Sequence, residues 1–262
     1  MNRSKFDVVA REYDAGRPGY PDELFDTIEE LSGTFLSGSR IADIGAGTGK
    51  ATRSMVERGA RVVAVDHGDK MLSVLRQRTP QVPVLQADAN ALPFANRSFD
   101  LVTFAQSWHW VDLDRAPAEV VRVVRPGGAL ALWWNTPDTS QQQWLAEHRA
   151  RLAALSTNEV DRHFDSMWQA IPSAFPEFDV ETAGVRWQRK VTREVVLDEL
   201  RSKSYVVALG ARGARDFVER EAALLTDAVT DAGLNAPADV SEGEMTEAFV
   251  VRLAVIRVAP GR

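Results

Sequence analysis

One stretch of the sequence decides the fold, and it reads Ile41-Ala42-Asp43-Ile44-Gly45-Ala46-Gly47-Thr48-Gly49-Lys50. An apolar run with an acid near its end passes directly into a turn in which every second residue is glycine. Residues without a Cβ allow a sharp turn and let backbone amides approach a bound molecule. The segment from Lys50 to Arg58 is typical of a helix that ends at Gly59. The stretch therefore predicts a strand, a turn and a helix that together bind a nucleotide-like cofactor.

The first half of the chain continues this alternation of strand and helix. The pattern predicts further strands at 61–66, 82–86, 99–105 and 129–134, with helices at 70–78 and 114–124. Short connections between such elements are typical of a parallel sheet with crossover helices. Pro83 has no N–H for a ladder hydrogen bond, so the third strand is expected at a sheet edge.

The alternation stops after residue 135, and the remaining chain predicts a different arrangement. We expect an inserted, largely helical cap, with a helix at 216–231 and strands at 180–191 and 247–258. A chain of 262 residues can bury one large core, so a single α/β domain with this cap is favoured over two small domains.

Composition excludes several classes of function. The chain has no cysteine, which excludes disulfides, thiolate metal sites and a cysteine nucleophile. His67, His148 and His163 show no ligand spacing, so we expect no metal site. The net charge of -6 disfavours binding to nucleic acid. No apolar run approaches the ~20 residues that span a bilayer, and we expect a cytoplasmic protein without membrane contact.

Acidic residues stand at or near the ends of three successive predicted strands. Asp43 precedes Gly45 by two residues, where it would repel a pyrophosphate, and the GxGxG spacing differs from the GxGxxG of dinucleotide sites. Asp66 lies 21 residues after Gly45 and could accept hydrogen bonds from both ribose hydroxyls. Asp88 could accept from an adenine amino group. Any one of these acids could instead cap a helix or face solvent, but their shared position favours a site for a positively charged cofactor.

An aromatic segment, Gln106-Ser107-Trp108-His109-Trp110, follows the fourth predicted strand. Ligands of open parallel sheets gather at this end of the strands. Trp108 and Trp110 could wall a substrate pocket or stabilise a cation, and His109 could accept a proton. In the alternative interpretation both tryptophans are core residues and His109 has only a structural hydrogen bond.

In these motifs the chain resembles the class I S-adenosylmethionine-dependent methyltransferases, particularly the small-molecule group of trans-aconitate methyltransferase-like and type 11 enzymes. The resemblance is carried by Asp43 to Gly49, Val65-Asp66, Asp88-Ala89, Leu92-Pro93-Phe94 with Ser98-Phe99-Asp100, and Arg125-Pro126-Gly127-Gly128. It implies an α/β, Rossmann-like, mostly parallel seven-stranded sheet of order 3-2-1-4-5-7-6. It also implies one domain over 1–262, with an amino-terminal lid at 1–30, a cofactor-binding core at 31–135, and a cap with closing strands at 136–262.

The resemblance also implies a set of site residues. Within the lid, Tyr13 and Arg17 would close over the cofactor and Arg17 would pair with its carboxylate, although Tyr13 could simply pack and Arg17 could face water. The full cofactor-binding set is Tyr13, Arg17, Asp43, Gly45, Ala46, Gly47, Thr48, Asp66, His67, Met71, Asp88, Ala89 and Gln106. The substrate-binding set is Trp108, His109 and Trp110, with His109 as the candidate catalytic residue.

The implied function is transfer of a methyl group from S-adenosylmethionine to oxygen, nitrogen or carbon of a small organic molecule, such as a carboxylate or a secondary metabolite. S-adenosylhomocysteine would be the other product. A cofactor-binding protein without transferase activity stays open as an alternative. A nucleic-acid methyltransferase is disfavoured because no Asn-Pro-Pro type motif follows the fourth predicted strand. A nicotinamide reductase is disfavoured by the spacing of the glycine turn.

Overall fold

The computed structural model describes residues 17–155, 159–201, 203–235 and 244–259. Its strands form one seven-stranded sheet of order β3-β2-β1-β4-β5-β7-β6, which confirms the order implied by the resemblance. The strands are β1 Arg40–Ile44, β2 Arg61–Asp66, β3 Val84–Gln86, β4 Phe99–Ala105, β5 Val124–Pro137, β6 Val180–Thr192 and β7 Glu244–Arg257. The helices are α1 Asp22–Ser32, α2 Lys50–Glu57, α3 Asp69–Arg78, α4 Ala116–Val123, α5 Gln143–Leu155, α6 Glu159–Ala174, α7 Arg193–Arg201, α8 Ser204–Val207 and α9 Gly210–Asn235.

Parallel pairing at the centre of the sheet brings the ends of the first four strands together. β1 pairs with β2 and β4 in parallel, so that Ile41 lies between Val62 and Leu101. β4 is buried over six of its seven residues, as expected for a strand covered by helices on both faces. β3 lies at the edge of the sheet, which confirms the interpretation of Pro83. The carboxyl ends of β1 to β4 therefore form one rim.

Two layers of apolar side chains cover the two faces of the sheet. Phe25 and Ile28 of α1 pack against one face with Trp133, while Phe104 and Phe175 belong to the layer on the other face. Each fully buried side chain of this size contributes on the order of 1.5–3 kcal/mol. The predicted lid thus needs correction at its carboxyl end, because the chain from Asp22 onward is a core helix rather than a cover.

The chain after β5 differs from the sheet core, as the sequence predicts. Helices α5, α7, α8 and α9 share a separate apolar cluster with the amino-terminal end of β7. α6 instead packs on the sheet through Ile171, and Phe175, which directly follows the helix, joins the same apolar layer. β6 and β7 close the sheet as long antiparallel strands. Within the described ranges, no helix is both long enough and apolar enough to cross a membrane.

Candidate functional site

A cavity of about 380 Å³ opens at the carboxyl ends of β1, β2, β3 and β4. This volume is in the range of small-molecule and cofactor sites. Its walls combine the last residues of these strands with the turns that follow them: Ile44, Gly45, Gly47, Val65, Asp66, His67, Gly68, Asp69, Met71, Gln86, Ala87, Asp88, Ala89, Phe104, Ala105, Gln106, Ser107, Trp110 and Val111.

Two glycines of the turn after β1 serve different purposes. Gly45 has φ 68°, and a Cβ placed on it would lie 2.4 Å from the Cβ of Ser107. Ser107 in turn donates a hydrogen bond from Oγ to the carbonyl of Ile44 at 2.7 Å. Gly47 has φ 57° and no neighbour within 4 Å of such a Cβ. Gly45 is therefore required for packing against the segment after β4, whereas Gly47 keeps the turn open.

The carboxylate of Asp66 is fixed by two backbone amides. Gly47 N–H donates to Oδ2 at 2.8 Å and Gly68 N–H donates to Oδ1 at 2.7 Å. Since a carboxylate oxygen can accept more than one hydrogen bond, this anchoring still allows Asp66 to accept hydrogen bonds from a ligand. His67 and Met71 line the same wall, and the side chain of Met71 is buried.

Asp88 and Ala89 line the cavity just beyond β3. Asn90 donates to Asp88 Oδ1 from its backbone N–H at 2.9 Å and from its side-chain amide at 2.8 Å. The Oδ1 atom of Asn90 accepts from the backbone N–H of Asp112 at 2.9 Å. These bonds join the turn after β3 to the segment after β4, so two walls of the cavity are held at a fixed separation.

Gln106 lies where β4 leaves the sheet and has φ 61°, a left-handed conformation that is uncommon for a non-glycine residue. Its backbone N–H donates to the carbonyl of Trp133 at 2.9 Å, which anchors the strained residue to β5. The left-handed backbone of Gln106 costs about 1–2 kcal/mol. Strain of this kind is commonly retained at ligand sites.

Asp43 does not line the cavity but lies beneath the glycine turn with no exposed surface. Thr52 and Thr103 donate to its two carboxylate oxygens from Oγ1, at 2.5 Å and 2.9 Å. Burial raises the pKa of Asp43 to about 6, although the two hydroxyl groups act in the opposite direction. Asp43 thus lies outside the cavity lining, and both of its oxygens face the threonines that tie β1 to α2 and β4. Its direct contact with the cofactor stays a prediction.

Ala46 and Thr48 of the turn also lie outside the cavity lining. Ala46 packs near Val56 and Val84 behind the turn. Thr48 is 2% exposed, and its carbonyl accepts a hydrogen bond from Arg53 at 2.9 Å. Both residues shape the turn from the protein side.

The aromatic segment after β4 divides between the core and the cavity. Trp108 is 1% exposed, and its ring centroid lies 4.8 Å from that of Phe104 and 5.7 Å from that of Phe175. The substrate-wall interpretation of Trp108 is corrected, because the short 3₁₀ turn at Trp108–Trp110 directs this ring into the core. Trp110 lines the cavity, and the ring of His109 lies 4.7 Å from its ring.

Arg17, the first described residue, lies close to the cap rather than along the cavity. Its charge acts on Glu199 and Lys203. Its pairing with the cofactor carboxylate stays a prediction. Tyr13 lies outside the described residues.

Sequence reasoning missed several lining residues that are neighbours of predicted ones. Gly68 and Asp69 follow Asp66, and Ser107 and Val111 flank the predicted aromatic pair. Only their position could have predicted them, because the turns that follow parallel strands lie together at the carboxyl end of the sheet, where ligands bind.

Comparison with known proteins agrees with this geometry. A family model described as a methyltransferase domain matches residues 42–132. An uncharacterized methyltransferase of Mycobacterium tuberculosis is 38% identical over 213 residues, covering 81% of this chain and 82% of the relative. A demethylmenaquinone methyltransferase of Mycobacterium sp. strain KMS is 34% identical over 170 residues, covering 61% of this chain and 73% of the relative.

Among solved structures, a protein of Anaeromyxobacter dehalogenans assigned as a type II methyltransferase superposes with a TM-score of 0.73 at 25% identity. The match covers 94% of this chain and 99% of that one. The fold and site thus define a methyltransferase, a transferase of one-carbon groups. The chain belongs to the class I S-adenosylmethionine-dependent methyltransferase family, whose cofactor is S-adenosylmethionine.

Proposed function

We propose that the cavity at the ends of β1 to β4 binds S-adenosylmethionine and that the chain methylates a small organic molecule. The observation that carries the first part is the charge of the lining. Asp66, Asp69 and Asp88 line the cavity, and the described lining residues include no lysine or arginine. A cavity with this charge suits a cofactor that carries ammonium and sulfonium groups and disfavours the pyrophosphate of a dinucleotide.

Each wall of the cavity fits one part of the cofactor. The anchored carboxylate of Asp66 suits the two ribose hydroxyls, because ion-assisted hydrogen bonds are the strong ones. Asp88 and Ala89 suit the adenine edge, with His67 and Met71 on the adjoining wall. The open backbone at Gly45 and Gly47 allows close approach, and Gln106 completes the site on the side of β4. When bound, the cofactor supplies an activated methyl group.

Asp43, Ala46 and Thr48 support this site from behind the turn. Their contribution is to hold the glycine turn against β4 and α2. Arg17 is left out of the proposed cofactor set because its charge acts on Glu199 and Lys203.

The acceptor is proposed to bind beside Trp110 and His109, between the cofactor cavity and the elements that follow β5. Trp110 belongs to the cavity wall, and Trp134 of β5 reaches the ring of His109 from the other side. Apolar walls of this kind exclude water from the reacting groups. Positioning beside the cofactor can supply much of the rate, so the acceptor atom can be oxygen, nitrogen or carbon.

Calorimetric titration with S-adenosylhomocysteine tests the cofactor assignment. Asp66→Ala removes two ion-assisted hydrogen bonds of about 1.5 kcal/mol each and should weaken binding roughly 100-fold. Asp114→Ala is a matched control, since Asp114 is an exposed acid outside the cavity lining. Equal affinities for the two variants would contradict the assignment.

Transfer of a labelled methyl group tests the second part of the proposal. The protein is incubated with methyl-labelled S-adenosylmethionine and either a metabolite extract, a demethylated naphthoquinol or total nucleic acid. The quinol is included because one relative is a demethylmenaquinone methyltransferase. We expect label in a small molecule, and much less of it with Asp66→Ala when the cofactor concentration is below the weakened dissociation constant of the variant. Label confined to nucleic acid, or cofactor binding without transfer to any of these acceptors, would refute it.

A further inference from the structure

The ring of His109 makes a hydrogen bond that restricts its chemistry. Trp134 Nε1 lies 3.4 Å from His109 Nδ1, at the long end of the hydrogen-bond range. An indole N–H can only donate, so this contact is favourable only when Nδ1 carries no proton. The proton of a neutral imidazole then resides on Nε2.

The surroundings hold the imidazole in this orientation. Its ring lies 4.7 Å from the ring of Trp110, which lines the cofactor cavity. Trp134 is 4% exposed and contacts Trp168 of α6 edge to face, with ring centroids 5.9 Å apart. The donor to Nδ1 is therefore a buried and immobilised side chain rather than a mobile surface group.

The neutral form is also favoured by the environment of the ring. His109 is an exposed residue, yet desolvation by the protein around its ring lowers its pKa to about 4. At pH 7 the imidazole is therefore neutral and presents one N–H group. Its other nitrogen is engaged by Trp134, so it has no lone pair directed at an acceptor molecule.

We propose that Trp134 locks His109 in the Nε2–H tautomer, and that His109 donates a hydrogen bond to an oxygen of the methyl acceptor instead of accepting its proton. This inference rests on the proposed acceptor site. The Nε2–H donor of His109 selects acceptors that present a carbonyl or carboxylate oxygen to the protein. Any proton on the methylated atom is then lost to solvent or to another group of the acceptor. Trp134 is the positioning residue that acts through His109.

Nitrogen-15 NMR of the full chain, with labelled histidine, tests the tautomer without any acceptor. The His109 signals are assigned by their loss in His109→Asn. At pH 7 the wild type should show a protonated Nε2 and an unprotonated Nδ1. Trp134→Phe should let the two tautomers exchange, while calorimetry with S-adenosylhomocysteine verifies that this variant remains folded. A protonated Nδ1 in the wild type, or an unchanged tautomer in Trp134→Phe, would overturn the proposal.

Rates of labelled methyl transfer into a fixed metabolite extract separate a donor from a base. Asparagine retains an N–H donor but cannot take a proton at neutral pH. His109→Ala should lower the rate about tenfold, and His109→Asn should recover it to within about threefold of the wild type. An Asn variant as slow as the Ala variant would indicate a base and refute the donor role. Since the NMR result does not depend on cofactor or acceptor, its failure is distinguishable from failure of the proposed function.

Discussion

The two halves of the chain achieve their structure by different means. Up to the end of β5, strands and helices alternate, and the cavity lies at the carboxyl ends of four strands. After β5, long helices and two antiparallel strands of 13 and 14 residues enclose charged side chains. The first half builds its site from strand ends that parallel pairing brings to one rim, whereas the second half is joined by ion pairs between side chains of β6, α7 and β7.

The charged cluster of the cap consists of Arg189, Glu199, Lys203 and Glu247. Glu199 pairs with Lys203 at 2.7 Å and with Arg189 at 3.1 Å, and Arg189 also pairs with Glu247 at 2.7 Å. Burial alone would raise the pKa of Glu199, but the charges of Lys203 and Arg17 outweigh it and lower the pKa to about 2. Desolvation, with Arg17 nearby, lowers the pKa of Lys203 to about 8. The cap is therefore sensitive to loss of any one charge.

The largest effect is expected from Glu199→Ala. It removes the carboxylate that pairs with Lys203 and makes one of the contacts of Arg189. Breaking a buried pair costs about 3–5 kcal/mol, and the lower end is expected here because the side chains of Glu199 and Lys203 are 14% and 13% exposed. Urea unfolding should show this loss, while the protein that remains folded should bind S-adenosylhomocysteine with wild-type affinity. Glu194→Ala, which breaks a solvent-exposed pair with Arg193, should change stability by less than about 1 kcal/mol. Similar losses in the two variants would show that the cap is not held by its buried charges.

Two glycine variants test which contact stabilises the turn after β1 in the first half of the chain. Gly45→Ala combines a left-handed backbone with a contact to Ser107 that cannot be accommodated without movement, and should cost about 3 kcal/mol. Gly47→Ala adds only the backbone term of about 1 kcal/mol, because nothing lies near the added Cβ. Thermal unfolding of both variants measures the difference. If Gly47→Ala were the more destabilising, the packing of Gly45 on Ser107 could not be what fixes the turn.

A smaller effect on stability is expected from Asp43→Asn, which replaces the buried acid beneath the glycine turn. The pKa of Asp43 is raised from 3.8 to about 6 in the folded chain. The folded state thus binds more protons than the unfolded state between these values, so this group's contribution to stability is present below pH 4 and is lost as the pH rises through 6. Asp43→Asn should remove that dependence. Between pH 4.5 and 7 the variant should gain about 2 kcal/mol relative to wild type.

Urea unfolding of wild type and Asp43→Asn at the two pH values measures this gain. Comparing the two proteins cancels the other titrating groups, which they share. Parallel pH dependence of the two proteins would show that Asp43 is not the buried, neutral-favouring group that the structure describes.

Much of the first half could be predicted from the sequence. The predicted strands at 61–66 and 99–105 match β2 and β4, and Pro83 correctly predicted the edge position of β3. The full sheet order came from the resemblance, because alternation alone does not fix which strands are neighbours. β5 begins at Val124 instead of 129, since Val124 pairs with Phe99 before an irregularity in the ladder.

Residues whose side-chain direction depends on the fold were harder to predict. Asp43 stands close to the glycine turn in sequence, but its side chain faces Thr103, a partner 60 residues away. Trp108 and Trp110 are two residues apart and share one 3₁₀ turn. The turn directs the ring of Trp108 into the core, whereas Trp110 lines the cavity. The charged cluster of the cap combines β6, α7 and β7, so no local pattern could reveal it.

Hydrogen exchange measured with and without S-adenosylhomocysteine tests the division between the halves most directly. Binding at the ends of β1 to β4 should slow exchange in peptides spanning 44–47, 66–71 and 86–89, which contain the cavity walls. Peptides of the cap helices at 143–155 and 193–201 should exchange at an unchanged rate. Protection confined to those cap helices, with the glycine turn and the Asp66 region unaffected, would contradict the account.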